Sequence, residues 1–185
     1  MKEKTIAKDM WESAGYAGLA LGLVSAAYMF INNALSTSGM SGGLATLIVM
    51  LAWMAKFAGC IILMKYFMKK FSASHPEATN KDTFKMGVKT SLLSAFLFSA
   101  IQFADMVYIS ADTYRQQFET AMQTLGPQMD ANTLKFMKEY FEMMPEFSFF
   151  GNLIYCFLFG TVVSRIISNN IPSKDPFADY KPDEQ

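Results

Sequence analysis

The chain has 185 residues, a length that fits one compact unit rather than several domains. Apolar residues make up 52% of it and charged residues only 17%, and the formal net charge is zero. Because the basic residues are divided among three short segments, the composition argues against a nucleic-acid-binding surface, and the long apolar blocks argue against an ordinary soluble domain.

The first two predicted elements are membrane spans. Residues 13–55 contain no charged side chain, a stretch too long for a single crossing of about 20 residues. The small, polar segment 36–43 is typical of a turn, so this block predicts spans at residues 11–35 and 44–68. We expect the first span to be retained rather than cleaved, because it is longer than a signal-peptide core of about 7 to 15 residues.

Two further apolar blocks predict a third span at residues 88–109 and a fourth at residues 147–167. The expected fold class is all-α: an integral membrane four-helix bundle with an extracytoplasmic amphipathic helix pair between spans 3 and 4. Residues 1–171 would form this membrane domain. Residues 172–185 are polar and interrupted by proline, which predicts a disordered cytoplasmic tail.

The connection between spans 3 and 4 has helical periodicity of its own. Apolar residues recur at helical spacing on both sides of the breaker Gly126–Pro127, which predicts two short amphipathic helices within residues 111–146. We expect their apolar faces to rest on the bundle, on lipid or on a partner, and the residues predicted to face a partner are Phe118, Met122, Met137 and Phe141. The methionines could ligate copper, but packing is the simpler interpretation, and no metal or cofactor is predicted.

The orientation follows from the positions of the charges. Most of the 16 basic residues lie before span 1, around the connection between spans 2 and 3, or after the middle of span 4. Residues 111–146 carry six acidic side chains against three basic ones. By the positive-inside bias, both termini are predicted to be cytoplasmic.

Lys56 and Asp105 place charges inside the predicted spans. At the helical rise per residue, Lys56 would lie roughly 18 Å below the outer end of span 2, and Asp105 roughly 6 to 8 Å below the outer end of span 3. Their side chains would lean toward each other, so an ion pair is possible if the two helices adjoin. With Gln102 and Asn152 at similar depth, we expect a polar pocket in the outer half of the bundle.

This pocket has two interpretations. It could be a hydrogen-bonded network that fixes the register of the helices. It could instead be a binding site or proton-responsive switch, in which Asp105 titrates and Lys56 is a counter-ion or anion contact.

Small residues recur at four-residue spacing in two of the spans. Gly18 and Gly22 lie in span 1, and Gly160 and Ser164 lie in span 4. Such spacing lets helix backbones approach closely. We expect these residues to pack helices within the bundle, with a dimer or partner groove as the alternative.

A family resemblance is carried by the Gly- and Leu-rich opening GYAGLALGLVSAAYMF, the Met-rich pair TAMQTLGPQMDANTLKFMKEYFEMM, the last span GNLIYCFLFGTVVSRIISNNI and the tail SKDPF. Together these segments resemble a bacterial family of small four-span inner-membrane proteins classed as a domain of unknown function. The resemblance implies the four-span fold and a location in the bacterial inner (cytoplasmic) membrane, and it implies no reaction. Family members look as though they are often encoded beside a membrane-associated glycosyltransferase, which implies that class of partner.

The inventory of catalytic groups is small. The chain has one histidine, His75, in a predicted cytoplasmic loop, and it has no phosphate-binding glycine loop. We therefore expect no catalytic residues and no enzymatic activity. The protein would be surrounded by membrane lipid and would act as an accessory or scaffold subunit of a larger membrane enzyme or complex, with a glycosyltransferase as one partner class. The alternative is a small transporter or channel element, acting as a homo-oligomer and using the pocket around Lys56 and Asp105.

Overall fold

The computed structural model describes residues 2–37 and 43–171. The helices of this part of the chain are α1 (Lys2–Thr37), α2 (Gly43–Ser74), α3 (Asn80–Ala104), α4 (Ala111–Leu125), α5 (Ala131–Glu142) and α6 (Met144–Asn169). A π-helical turn (Asp105–Ile109) joins α3 to α4, and a 3-10 turn (Gly126–Gln128) lies between α4 and α5. We call α4 and α5 the hairpin, and the end of the bundle that carries them the hairpin end.

Within the described residues, four helices are long and apolar enough to cross a membrane. These candidate spans are Ile6–Leu35, Thr46–Ser74, Asn80–Ile109 and Met144–Asn169. The chain is therefore a multi-pass membrane protein, and the predicted all-α membrane bundle with a helix pair between its third and fourth spans is confirmed.

The helices are longer than the apolar stretches that identified them. The helix α2 continues to Ser74 and α3 begins at Asn80, each several residues beyond the predicted span. Backbone hydrogen bonding does not depend on side-chain polarity, so a helix can continue past the last apolar residue into a charged segment. Residues 38–42 of the predicted turn and the whole predicted tail, 172–185, lie outside the described residues.

The start of α3 is fixed by a capping box. The backbone N–H of Asp82 donates to Oγ1 of Thr79 at 3.2 Å, and the backbone N–H of Thr79 donates to Oδ2 of Asp82 at 3.2 Å. These reciprocal bonds satisfy donors that a helix N-terminus leaves without intrahelical acceptors. The short connection from α2 therefore leads directly into a well-defined helix.

Helix packing places α1 and α3 at the centre of the bundle. Helix α3 packs extensively against α6 and α1, and α2 packs mainly against α1. Helices α2 and α6 meet at few residues. The four long helices therefore follow the order α2, α1, α3, α6 around a gap, which we call the α2–α6 cleft.

The apolar core lies at the end of the bundle opposite the hairpin. Its buried residues are Met10, Ala17, Leu21, Met64, Met68, Phe71, Ala78, Met86, Ile167 and Ile171. At the same end, Nε2 of His75 lies 3.2 Å from Oδ2 of Asp9, and the His75 ring packs on Phe71. These contacts join all four long helices at this end of the bundle.

Candidate functional site

A cavity of about 150 Å³ lies between the four long helices. Its lining is largely apolar and includes Leu21, Ile61, Met64 and Val163. Among the described residues that line it, Lys56 is the only charged one. A cavity of this size can hold a group about as large as a benzene ring, so there is room beside Lys56 for a small polar or apolar group.

The ammonium group of Lys56 makes cation–π contacts with two aromatic rings. Its Nζ atom lies 5.2 Å from the centroid of the Tyr28 ring on α1 and 5.1 Å from that of the Phe98 ring on α3. Each such cation–π contact contributes about 0.5 to 2 kcal/mol. The ion pairs found among the described residues join other side chains. Within that part of the chain, Lys56 thus has ring faces around it and no carboxylate at ion-pair distance.

Four aromatic side chains line the α2–α6 cleft, and we call them the aromatic rim: Trp53, Phe57, Tyr155 and Phe159. The ring centroids of Phe57 and Phe159 lie 5.2 Å apart, which joins α2 to α6. Trp53 stacks on Phe57 at 5.5 Å, and Tyr155 stacks on Phe159 at 6.4 Å. All four line the cavity and all four are exposed, with Trp53 at 51% and Tyr155 at 67%.

Both cysteines are free and both line the cavity. Cys60 lies on α2, with its Sγ atom 3.9 Å from Oγ of Ser25, and Cys156 lies on α6. No group of three or more His, Cys, Asp and Glu side chains that could hold a metal ion occurs in residues 2–37 and 43–171. The cavity therefore offers one cation, two thiols and apolar walls.

The side chain of Asp105 lies away from this cavity and is almost completely buried, at 1% exposure. Nδ2 of Asn33 donates to its Oδ2 at 3.0 Å, and Oγ of Ser110 donates to its Oδ1 at 2.9 Å. The backbone N–H of Ser110 also donates to the carbonyl of Asp105 at 2.7 Å, which closes the π-helical turn. Asp105 is thus bonded to α1 and to its own turn.

The structure does not form the possible ion pair between Lys56 and Asp105. Lys56 reaches the third span at Phe98, which lies seven residues, or about 10 Å along the helix, before Asp105. The π-helical turn that begins at Asp105 was not predicted, since no simple sequence pattern marks a π-helix. Sequence reasoning also missed Ser110 as a donor and the rings of Tyr28 and Phe98 as contacts of Lys56.

The carboxylate of Asp105 also affects the pKa of Tyr114, which lies in the first turn of α4. Partial burial raises the pKa of its phenol, and the nearby negative charge of Asp105 raises that pKa further. The phenol of Tyr114 is therefore a reporter of the charge on Asp105.

The other two predicted pocket residues bond to each other. Nδ2 of Asn152 donates to Oε1 of Gln102 at 2.8 Å, which joins α6 to α3. Hydrogen bonds between membrane helices contribute about 0.6 kcal/mol on average. The four residues predicted to share one pocket, Lys56, Gln102, Asp105 and Asn152, therefore lie in three separate environments.

The small residues of span 1 lie where α1 meets α3. A Cβ atom added to Gly18 would lie 2.7 Å from Cβ of Leu93 and 3.2 Å from the backbone nitrogen of Ser94. One added to Gly22 would lie 2.8 Å from a methyl group of Leu97. Only glycine allows this approach, so both residues are used inside the bundle, as expected from their spacing.

The small residues of span 4 form a reciprocal contact with α3. A Cβ atom added to Gly160 would lie 2.5 Å from Oγ of Ser91, and one added to Gly87 would lie 2.7 Å from Oγ of Ser164. Each serine hydroxyl donates one turn back along its own helix, Ser91 to the carbonyl of Gly87 at 2.8 Å and Ser164 to that of Gly160 at 2.6 Å. We call these four residues the α3–α6 seam.

Two of the predicted partner-facing residues of the hairpin contact each other across its two helices. The rings of Phe118 and Phe141 stack at 4.1 Å, Met122 lines the same groove, and Met137 is half-buried. A different set of rings is exposed: Phe136, Tyr140 and Phe147 stack in a row from α5 onto α6. That Phe118, Met122, Met137 and Phe141 face a partner stays a prediction.

Comparison with known proteins identifies the family of this chain. A family model described as "Protein of unknown function (DUF4199)" matches residues 16–169, which include most of the four long helices and all of the hairpin. No curated protein and no solved structure matches the chain. The chain therefore belongs to the DUF4199 family of proteins of unknown function.

Proposed function

We propose that this protein is a non-catalytic accessory subunit that binds a transmembrane helix of a larger membrane protein along the α2–α6 cleft. The observation that carries the proposal is the cleft itself. Helices α2 and α6 meet at few residues, and the aromatic rim between them is exposed. Large rings on two helices that flank a gap can pack around the side chains of an inserted helix.

The small-residue faces give less support as docking surfaces. Gly18 and Gly160 are already in contact with α3, where added atoms would clash. A partner helix could not reach either residue without separating helices of the bundle. At the rim of the cleft, by contrast, α2 and α6 are joined by the ring contact between Phe57 and Phe159, which a bound helix would have to open.

The surroundings of the protein are part of the same proposal. We place it in an inner (cytoplasmic) membrane with both termini in the cytoplasm, because the basic residues are concentrated on the side of the bundle opposite the acidic hairpin. A membrane-associated glycosyltransferase is the partner class that the family resemblance suggests.

The transporter alternative has less support from the geometry. It would use Lys56 and Asp105 together, but Asp105 is not among the residues that line the Lys56 cavity. Its carboxylate is also closed in by Asn33 and Ser110.

Site-specific photo-cross-linking in native membranes tests the accessory role. A photoreactive phenylalanine analogue in place of Tyr155, on the rim, should give one discrete adduct with a different protein. The matched control is the same replacement at Tyr16, which is also exposed but lies on α1 outside the cleft lining. That position should give lipid adducts only.

The size of the adduct separates the alternatives. An adduct with a second copy of this chain would favour the homo-oligomeric transporter. Lipid adducts alone at Tyr155 would contradict the accessory role.

A further inference from the structure

We infer that the helix bound in the cleft carries an aspartate or glutamate near the middle of its span, and that this carboxylate pairs with Lys56. The inference rests on the proposed accessory function and adds the chemistry of the partner. Its basis is a half-buried charge near the middle of α2, a cavity beside that charge and the lack of a counter-ion among the described residues.

The depth of Lys56 selects the type of anion. Lys56 lies 13 residues from the first residue of α2, Gly43, and 18 from the last, Ser74, or about 20 and 27 Å along the helix axis. It is therefore far from both ends of a span that crosses a hydrocarbon layer of about 30 Å. A phospholipid headgroup lies at the membrane surface, whereas an acidic side chain on a membrane helix can lie at this depth.

Within residues 2–37 and 43–171, no carboxylate forms an ion pair with Lys56. The sequence from residue 13 to residue 76 contains no aspartate or glutamate, so neither α2 nor the membrane part of α1 carries one. On the third span Asp105 is bonded to Asn33 and Ser110. An unpaired lysine at the middle of a membrane span is costly, and the faces of two aromatic rings attract its ammonium group without supplying a full negative charge.

The cavity gives the partner carboxylate a path to the ammonium group. Tyr28 and Phe98 cover Lys56 from α1 and α3. The cavity adjoins Lys56 and is also lined by Tyr155 and Cys156 of α6, which flank the cleft. Its volume of about 150 Å³ can accept the end of an acidic side chain. Surrounding apolar walls would strengthen the ion pair by excluding water.

The test uses the full-length chain with the photoreactive residue at position 155 and changes only Lys56. Lys56→Met should lower the yield of the heterologous adduct by about 10-fold or more, the change expected from losing at least 1.4 kcal/mol of binding. Lys56→Arg keeps the charge and should retain most of the yield. Lys65→Met, on an exposed position of the same helix, is the matched control and should leave the yield unchanged.

The partner supplies the second arm of the test. Sequencing of the adduct should show an aspartate or glutamate near the middle of the cross-linked span, and its change to the matching amide should lower the yield as Lys56→Met does. This arm leaves the present chain unaltered, so it decides the question even if Lys56→Met fails to accumulate. Combining Lys56→Glu with a lysine at the partner position should restore the adduct.

The two proposals fail in different ways. Full adduct yield with Lys56→Met, or a partner span without an acidic residue, would overturn the ion pair and leave the accessory role standing. Absence of any heterologous adduct from the chain that retains Lys56 would overturn the accessory role itself.

Discussion

Helix α6 has two faces that differ in the size of their side chains and in what they contact. On the α3–α6 seam, Gly160 and Ser164 let the two backbones meet, and Ser164 is fully buried. On the cleft side, Phe159 meets Phe57 of α2 through their rings, and Tyr155 stacks on Phe159 within α6, so bulky side chains rather than backbones face α2. The face with small side chains is therefore used for packing inside the bundle, and the face with large rings remains available to a partner helix.

Lys56 and Asp105 show a similar contrast. Asp105 is closed in, with a donor on each carboxylate oxygen, and its role within the described residues is to tie α1 to the end of α3. Lys56 lies beside an open cavity with aromatic rings on two sides. A charge within a membrane span that is hydrogen-bonded inside the bundle favours a structural role, whereas one that lacks a counter-ion there favours a role in binding.

The largest expected effect comes from enlarging the seam. Gly160→Leu should destabilise the folded bundle by about 3 kcal/mol or more, because its first added carbon already overlaps Ser91 and the α3–α6 contact must open. Unfolding in mixed detergent micelles, followed by circular dichroism, measures this change.

The matched control is Gly151→Leu, on the same helix, where no atom lies within 4 Å of an added Cβ. It should change the free energy of unfolding by less than about 1 kcal/mol. Equal effects of the two substitutions would mean that the seam is not a tight contact, and the contrast between the faces of α6 would be lost.

Substitutions of Asp105 should have a smaller effect on stability, and they distinguish a need for its hydrogen bonds from a need for its charge. Asp105→Leu should destabilise the protein by about 1 to 3 kcal/mol, because Asn33 and Ser110 lose their acceptor in a buried position. Asp105→Asn should cost less than about 1 kcal/mol, since the amide oxygen can accept from Asn33 while its NH₂ group donates to the hydroxyl oxygen of Ser110.

Unfolding measurements on both variants check this order, and Tyr114 provides a second signal. Without the negative charge at residue 105, one of the two causes that raise the pKa of Tyr114 is removed, so that pKa should fall in Asp105→Asn. If Asp105→Asn is as damaging as Asp105→Leu, the charge itself is required, and Asp105 would no longer be a purely structural counterpart of Lys56.

The sequence determines the elements of this fold better than their arrangement. The charge-free stretch 13–55 and the breaker Gly126–Pro127 were sufficient to predict two spans and two hairpin helices, because membrane crossing and helix termination depend on local composition. The depth of Lys56 and Asp105 was also calculable from helical rise. Which neighbouring helix each side chain faces depends on packing order, and that order is not encoded in the periodicity of any single span.

The glycine positions were easier to interpret than the polar ones. A glycine repeat has one physical use at a helix contact, close approach, so Gly18 and Gly160 could be assigned to packing from spacing alone. Polar residues have several possible partners. Gln102 accepts a hydrogen bond from Asn152 and does not share a pocket with Lys56 and Asp105. The unpredicted π-helical turn at Asp105 further changed which side chains could reach the carboxylate.

The smallest expected effect lies in the hairpin. It concerns Asp130, a charged residue that is exposed and accepts hydrogen bonds from the first turn of its own helix. Oδ1 of Asp130 accepts from the backbone N–H groups of Asn132 and Thr133 at 2.9 Å and caps α5. Hydrogen bonds from the backbone and side chain of Thr133 hold the pKa of Asp130 below its ordinary value. A lowered carboxyl pKa in the folded state means that the stabilisation is present above the unfolded pKa of about 3.9 and is lost as pH falls through the folded value.

The start of α5 should therefore fray in acid, whereas the buried seam should not respond. Amide exchange at Thr133, compared at each pH with the Asp130→Asn variant, measures the fraying and cancels the intrinsic pH dependence of exchange. Asparagine caps helices about as well as aspartate but does not titrate, so the acid-induced difference should be confined to the chain that retains Asp130. Equal fraying in both chains would show that the cap is not the group that titrates, and that α5 loses its first turn for another reason, such as a charge change elsewhere in the hairpin.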